Sequence, residues 1–264
     1  MAAYIAQKIE QDFEIDGDVR KAIWSDATWS EQFIDMATGG AADFETHCAI
    51  LWSQSHLYVA FYAEESNLQA AITERDDLIF LENDLELFID GGDCYYELEI
   101  NALNTVYEVF FIWRDSFPQV DRFPSEKFDI GAPGVYTFGG DFDRSGEHFW
   151  KGTHPRGTRW AFKEFDMEGL QTAVRLDGAL NDPKTLDKGW SAEISIPWAS
   201  LVHLAGRRSL PPTSGDVWRM FLGRFDKKLV NGVELSPHPA SSLNAHGVYD
   251  THQPEKWSDI EFQA

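Results

Sequence analysis

Positive charge is scarce in this chain. Lys and Arg number 22 against 44 Asp and Glu, which leaves a formal net charge of −22. Phosphate backbones and anionic bilayer surfaces would be repelled by such a protein, so neither nucleic acid nor membrane is expected as a partner. Cysteine is nearly missing. Cys48 and Cys94 allow one disulfide at most, and a chain of 264 residues does not need one, so both read as buried free thiols. Long apolar runs are absent. No window approaches the ~18 uncharged residues of a membrane span. The N-terminal stretch has no basic segment leading into an apolar one, so no signal peptide is expected and the chain as written reads as cytoplasmic, or as secreted if a leader was trimmed.

Several chemistries lack their motifs. There is no G-x-S-x-G elbow for a serine nucleophile and no Gly-rich phosphate cradle. Neither C-x-x-C nor H-E-x-x-H occurs, so the usual spacings for zinc are missing. Helical periodicity is rare too. Pro197–Gly206 alone suits a short helix, with Pro at its start and Gly at its end.

Aromatic residues and period-2 alternation are what the chain has in plenty. Aromatics make up 14%, including 10 Trp and 19 Phe. Alternating runs at His47–Trp52 and His56–Glu65 read as a hairpin, as do Asn83–Asp93 and Cys94–Asn104 across a Gly-Gly turn. Further runs at Thr105–Trp113, Leu170–Gly178, Gly189–Trp198, Asp216–Asp226 and Lys256–Phe262 bring the count to about ten strands. Such strands need a second apolar surface to cover their buried faces. The expected fold is therefore all-β, a two-sheet antiparallel β-sandwich of immunoglobulin-like or jelly-roll type, with one long insertion and a short helix. Residues 118–163, rich in Gly, Asp, Phe and Arg, read as that insertion, a long loop within a single domain spanning 1–264.

The acids offer two chemistries. Asp16-Gly17-Asp18 and Asp90-Gly91-Gly92-Asp93 set carboxylates in turns, the arrangement of a structural calcium site and equally of an ordinary Asp-Gly turn. Alternation puts Glu97 and Glu99 opposite Leu98, with Glu86 able to face them across the hairpin, a grouping that suits general acid–base work. Phe80, Trp113, Trp150 and Tyr249 lie near strand ends or in loops, where an exposed ring can stack on a pyranose.

Seven stretches, taken in order, resemble the family 9 carbohydrate-binding modules and their stand-alone relatives. They are Phe13–Ala27, Cys48–Glu65, Phe80–Asp93, Tyr95–Phe111, Gly189–Leu201, Gly215–Phe225 and His252–Phe262. The most specific part is END-x-E-x-FID followed by E-x-N-A-L-N-T. The resemblance implies a sugar-binding β-sandwich of the kind that accompanies xylan-degrading enzymes, with structural calcium. It also implies that a sugar-clamping ring falls on Phe80 and a sugar-binding acid on Glu86. Glu99 stands where the family has Arg, and Asn101 matches a nearby Asn. Thr251 occupies the place of the second clamping ring, with Tyr249 the ring nearest to it.

The expected function is thus non-catalytic binding of a mono- or oligosaccharide, linked to carbohydrate catabolism, through Phe80, Glu86, Glu99, Asn101 and Tyr249. Calcium, if present, is expected on Asp16, Asp18, Asp90 and Asp93. Two rivals remain open: a glycosidase-type enzyme using Glu86, Glu97 or Glu99, and a haem or electron-carrier module using His252.

Overall fold

The structure is a computed structural model that describes residues 3–119, 121–139, 154–230 and 233–264. The alternating runs fold as strands. In chain order these are β1 (Tyr4–Lys8), β2 (Ile34–Asp35), β3 (Thr46–Trp52), β4 (His56–Glu64), β5 (Asp84–Asp90), β6 (Cys94–Asn101), β7 (Val106–Trp113), β8 (Val135–Phe138), β9 (Arg159–Phe162), β10 (Gln171–Asp177), β11 (Gly189–Pro197), β12 (Val217–Phe225), β13 (Leu229–Val230), β14 (Val233–Glu234), β15 (Ala240–Ser242) and β16 (Ser258–Gln263). The expected helix shrinks to a 3₁₀ turn at Trp198–Leu201 and a single α turn, α1 (Val202–Ala205). Gly206 ends it at φ 62°, a left-handed conformation that costs a glycine little.

Among the described residues, fourteen strands form one hydrogen-bonded sheet, whose main path runs β10-β11-β4-β3-β1-β16-β12-β5-β6-β7-β9-β8. The sheet is mixed, which corrects the expectation of a purely antiparallel one. β1 lies parallel to both of its neighbours, with Tyr4 against Ile260 of β16 and Gln7 against Leu51 of β3. The cause is topological: hairpins make antiparallel pairs, whereas β1 is inserted between strands distant from it in sequence, which no local turn signal encodes. The segment read as a loop departs from expectation as well. β8 and β9 lie within it and extend the sheet beyond β7, and four-residue strands are too short to display clear alternation.

Alternation then sorts side chains between faces. Leu85, Leu87 and Ile89 of β5 enter the main core, with Leu98 and Ile100 of β6. Val59 and Phe61 of β4 and Ile194 and Ile196 of β11, from the other arm of the path, join the same cluster. Each such aliphatic side chain contributes about 1.5–3 kcal/mol by leaving water.

The opposite faces of the two arms carry separate clusters. On the β3–β4 arm, Ala49, Leu51, Tyr58 and Ala60 pack beneath Trp24, with Phe13 and Trp29 against them. On the β5–β6–β7–β12 arm, Phe88, Tyr95, Tyr107, Val109, Phe111 and Phe221 pack with Trp257. Both cysteines are buried free thiols. Among the described residues, no helix is long and apolar enough to cross a membrane.

Candidate functional site

The outer face of β5 and β6 gathers acids because register and pleat leave them no alternative. Glu86 lies directly opposite Glu99, and Glu99 lies opposite Tyr107 of β7. One pleat away along β5 is Asp84, and one pleat away along β6 is Glu97, which faces Phe88. Residues in register share a face, so four carboxyl groups occupy one side of a two-strand ribbon. All are buried, with Glu86 3% exposed and Glu99 1%.

Three of the groups converge closely. One oxygen each from Asp84, Glu86 and Glu99 lie within 4.8 Å of one another. Little protein answers them. Asp84 Oδ1 accepts the Phe225 amide at 3.2 Å. Its Oδ2, Glu86 Oε2, Glu97 Oε2 and Glu99 Oε2 are buried with no hydrogen-bond partner among the described residues.

The electrostatic result follows. Burial drives the carboxyls of Asp84, Glu86 and Glu99 well above the usual range, and mutual repulsion adds to it, for Glu86 from Asp84 and Glu97 and for Glu99 from Glu86, Asp84 and Glu97. Burial also raises Glu97, to about 8, against the lowering effects of a hydrogen bond with Glu99 and of Arg159.

Aromatic and imidazole groups surround the acids. Phe80 stands on the 3₁₀ turn Ile79–Leu81, is 40% exposed, and meets the edge of Tyr107 at 5.9 Å between centroids. Leu78 and Leu81 beside it are also exposed. Tyr249 is half-buried and donates its hydroxyl to the His238 carbonyl at 2.7 Å. Burial raises its pKa, and Glu86 and Asp84, close enough to act on it, raise it further. His252 is buried among Phe88, Tyr95, Phe111 and Phe138, with Nδ1 2.9 Å from the Tyr95 hydroxyl. Burial, reinforced by Arg159, pushes its pKa well below the usual imidazole value, so it is neutral at pH 7.

Of the residues expected at the site, Glu86 and Glu99 meet across the hairpin, with Tyr249 in electrostatic range and Phe80 joined to them through Tyr107. Asn101 is in register with Asp84 yet fully engaged. Its Nδ2 donates to the Ile72 carbonyl and Glu82 Oε1, and its Oδ1 accepts the Leu103 and Thr105 amides. It shapes the β6–β7 turn, where Asn104 takes φ 63°. Trp113 is buried between the Arg156 and Arg159 guanidiniums, at 5.1 and 4.7 Å from its ring. Trp150 lies outside the described residues.

Asp84 and Tyr107 were not anticipated. The signal for Asp84 was present, since it alternates in phase with Glu86, but a strand-leading acid reads as part of a turn.

The four acids expected to hold calcium are matched by cations of the protein itself. Asp16 contacts Lys21 at 3.0 Å, and Asp18 contacts both Arg20 and Arg175 at 2.8 Å. Asp90 meets Arg219 at 2.9 Å and accepts the Gly92 amide. Asp93 takes Arg122 and Arg156 at 3.0 Å each, with Ser116 and Gln119. Burial pushes the Asp93 carboxyl up, but these hydrogen bonds outweigh it and hold the pKa at about 2. Oxygens so engaged do not fit a calcium shell. Asp90 and Asp93 also line a cleft of about 1010 Å³ together with Arg122, Arg208 and Arg219.

Among solved structures similar to this chain is a candidate carbohydrate-binding protein from Bacteroides uniformis, with 12% identity, TM-score 0.58 and 98% of each chain covered. A family 9 carbohydrate-binding module from Caldicellulosiruptor kristjanssonii in complex with glucose matches at 12% identity and TM-score 0.55, over 98% of this chain and 96% of that one. The same organism's module in complex with cellotriose matches at 12% and 0.53, over 98% and 94%. At such identity the likeness establishes the fold, which is family 9-like. No family model and no curated protein matches the sequence.

Proposed function

We infer that this protein binds carbohydrate without transforming it, at the outer face of β5 and β6. The observation that carries this reading is the pairing of an exposed Phe80 ring with the buried Oε2 atoms of Glu86 and Glu99, which have no donor among the described residues. A pyranose offers what each lacks: an apolar C–H face for the ring and hydroxyl donors for the oxygens. The family 9-like fold supports the reading, since modules of that fold are found with glucose and cellotriose. The net charge of −22 argues for a neutral ligand over a polyanion.

In this reading the chain is a single module whose two sheet arms stack as layers around their common core, with β8 and β9 extending one arm beyond β7. Its place is in carbohydrate catabolism, delivering or retaining a sugar for enzymes that degrade it. Glu86 and Glu99 accept hydrogen bonds from sugar hydroxyls, Phe80 supports the ring, and Tyr249 borders the acids.

Isothermal titration of the intact protein with glucose, xylose and cellotriose tests the proposal. Binding at millimolar ligand or tighter is expected. Phe80→Ala should weaken it about tenfold, the equivalent of the ~1.4 kcal/mol in ring contacts. Its stability should change by less than about 0.5 kcal/mol, because the ring is substantially exposed. Absence of heat with every sugar at millimolar concentration would refute the reading.

A second reading has one observation in its favour. Glu97, with its pKa near 8, would remain protonated at neutral pH, as a glycosidase acid must. Release of reducing ends from an oligosaccharide, lost in Glu97→Gln, would establish it in place of simple binding.

A further inference from the structure

We propose that Asp84, Glu86 and Glu99 together hold one hard divalent cation of the calcium class, a site distinct from the turns in which acids and glycine first suggest calcium. The inference goes beyond carbohydrate binding and does not depend on it.

Geometry is the first support. Three carboxylate oxygens within 4.8 Å of one another share a point no more than about 2.8 Å from each, so a shift of a few tenths of an ångström brings all three to the roughly 2.3–2.6 Å of calcium–oxygen bonds. Three oxygen ligands with no sulfur or imidazole among them select a hard ion over zinc or copper.

The second support is independent of spacing. Among the described residues, the oxygens Asp84 Oδ2, Glu86 Oε2 and Glu99 Oε2 are buried and have no hydrogen-bond partner, and a fourth, Glu97 Oε2, has only His252 Nε2 at 3.9 Å, beyond hydrogen-bond length. Buried carboxylate oxygens are ordinarily satisfied, because stripping one of water costs several kcal/mol. Other buried acids of this protein obey that rule. Glu65 has Arg224 and the Asn83 amide group, and Glu108 has Arg75, the Tyr96 hydroxyl and the Met167 amide. Among the described residues, no Lys or Arg pairs with Asp84, Glu86 or Glu99. A divalent ion supplies the missing charge and coordinates the orphaned oxygens in one step. Its position at the foot of the Phe80 surface would place a Lewis acid within reach of ligand hydroxyls.

The test uses the whole protein, stripped with chelator at pH 7 and titrated with calcium chloride. One calcium per chain is expected by calorimetry, with Tm raised by about 5 °C at a hundredfold excess over Kd. Terbium should bind in its place and luminesce through nearby tyrosines such as Tyr107. Glu86→Gln and Glu99→Gln should each weaken calcium at least tenfold, while Asp16→Asn should leave it unchanged. Both Gln variants remove repulsion from the cluster, so their cation-free Tm should equal or exceed that of the parent, which verifies folding. No stoichiometric binding at millimolar calcium, or binding that survives both Gln substitutions, overturns the proposal. Sugar titrations in chelator and in calcium keep it separate from the carbohydrate reading: failure of sugar binding in both, with calcium bound, would remove only that reading.

Discussion

Each arm of the sheet buries glutamate on its outer face, and the two arms treat it in opposite ways. On β11, Glu193 lies in register with Ala60 of β4 and is fully buried. The N-terminal segment wraps it: Oε2 accepts the Asp16 and Gly17 amides at 2.8 and 2.7 Å and Lys21 Nζ at 2.8 Å, while Oε1 accepts Trp24 Nε1 at 2.6 Å. On β5, Glu86 is as deeply placed, yet among the described residues its Oε2 has no donor, and the charges acting on it are the carboxyls of Asp84 and Glu97. Burial alone therefore does not tell what an acid is for. One glutamate is a clamp that fixes the N-terminal segment to the sheet. The other has a buried oxygen with no donor among the described residues.

Replacement of the clamp gives the widest separation between the arms. Glu193→Ala removes four donors' acceptor at once and should cost about 3 kcal/mol in urea unfolding, since a broken buried charge pair leaves its partners stranded. Glu99→Gln in chelator should instead stabilise by about 1–2 kcal/mol, because a neutral amide relieves both desolvation and repulsion. Equal losses at the two positions would erase the distinction.

The pH dependence sharpens it further. Glu97, whose pKa rises from 4.5 to about 8 on folding, stabilises fully below pH 4.5, and that contribution is lost as pH rises through 8. Asp93, lowered from 3.8 to about 2, behaves oppositely: its stabilisation is present above pH 3.8 and is lost as pH falls through 2. Urea midpoints in chelator should decline from pH 5 to 8, and Glu97→Gln should flatten that slope. A rising midpoint over the same range would contradict the account of the acidic face.

The smallest effect is expected at the hairpin end. Arg156 binds Asp115, Asp93, the Gly92 carbonyl and Ser116, but its guanidinium is partly in water. Arg156→Ala should lose only about 1 kcal/mol in the same unfolding assay, because solvent screens exposed pairs.

Much of this was readable from residues alone, where the signal was local. β3 to β7 and β10 to β12 follow runs whose alternation is long and whose turns are short. The meeting of Glu86 with Glu99 followed from the pleat and the Gly91-Gly92 turn. What escaped was non-local. β1 has five residues and two parallel partners far along the chain, so neither length nor a neighbouring turn announced it. Asn101 was read as a sugar ligand because the family resemblance places an Asn there, yet its hydrogen bonds close the following turn. Asp16, Asp18, Asp90 and Asp93 suggested calcium through their glycines; Lys21 and Arg20 answer the first two from the same turn, but Arg175, Arg219, Arg122 and Arg156 come from elsewhere in the fold. A sequence shows where charge is placed and does not show what answers it.

The most direct test is a crystal structure of the protein soaked with cellotriose in calcium. The account predicts a sugar ring stacked on Phe80 with hydroxyls directed toward Glu86 and Glu99. Sugar bound at another face, or none on a Phe80 surface left open by the lattice, would contradict it.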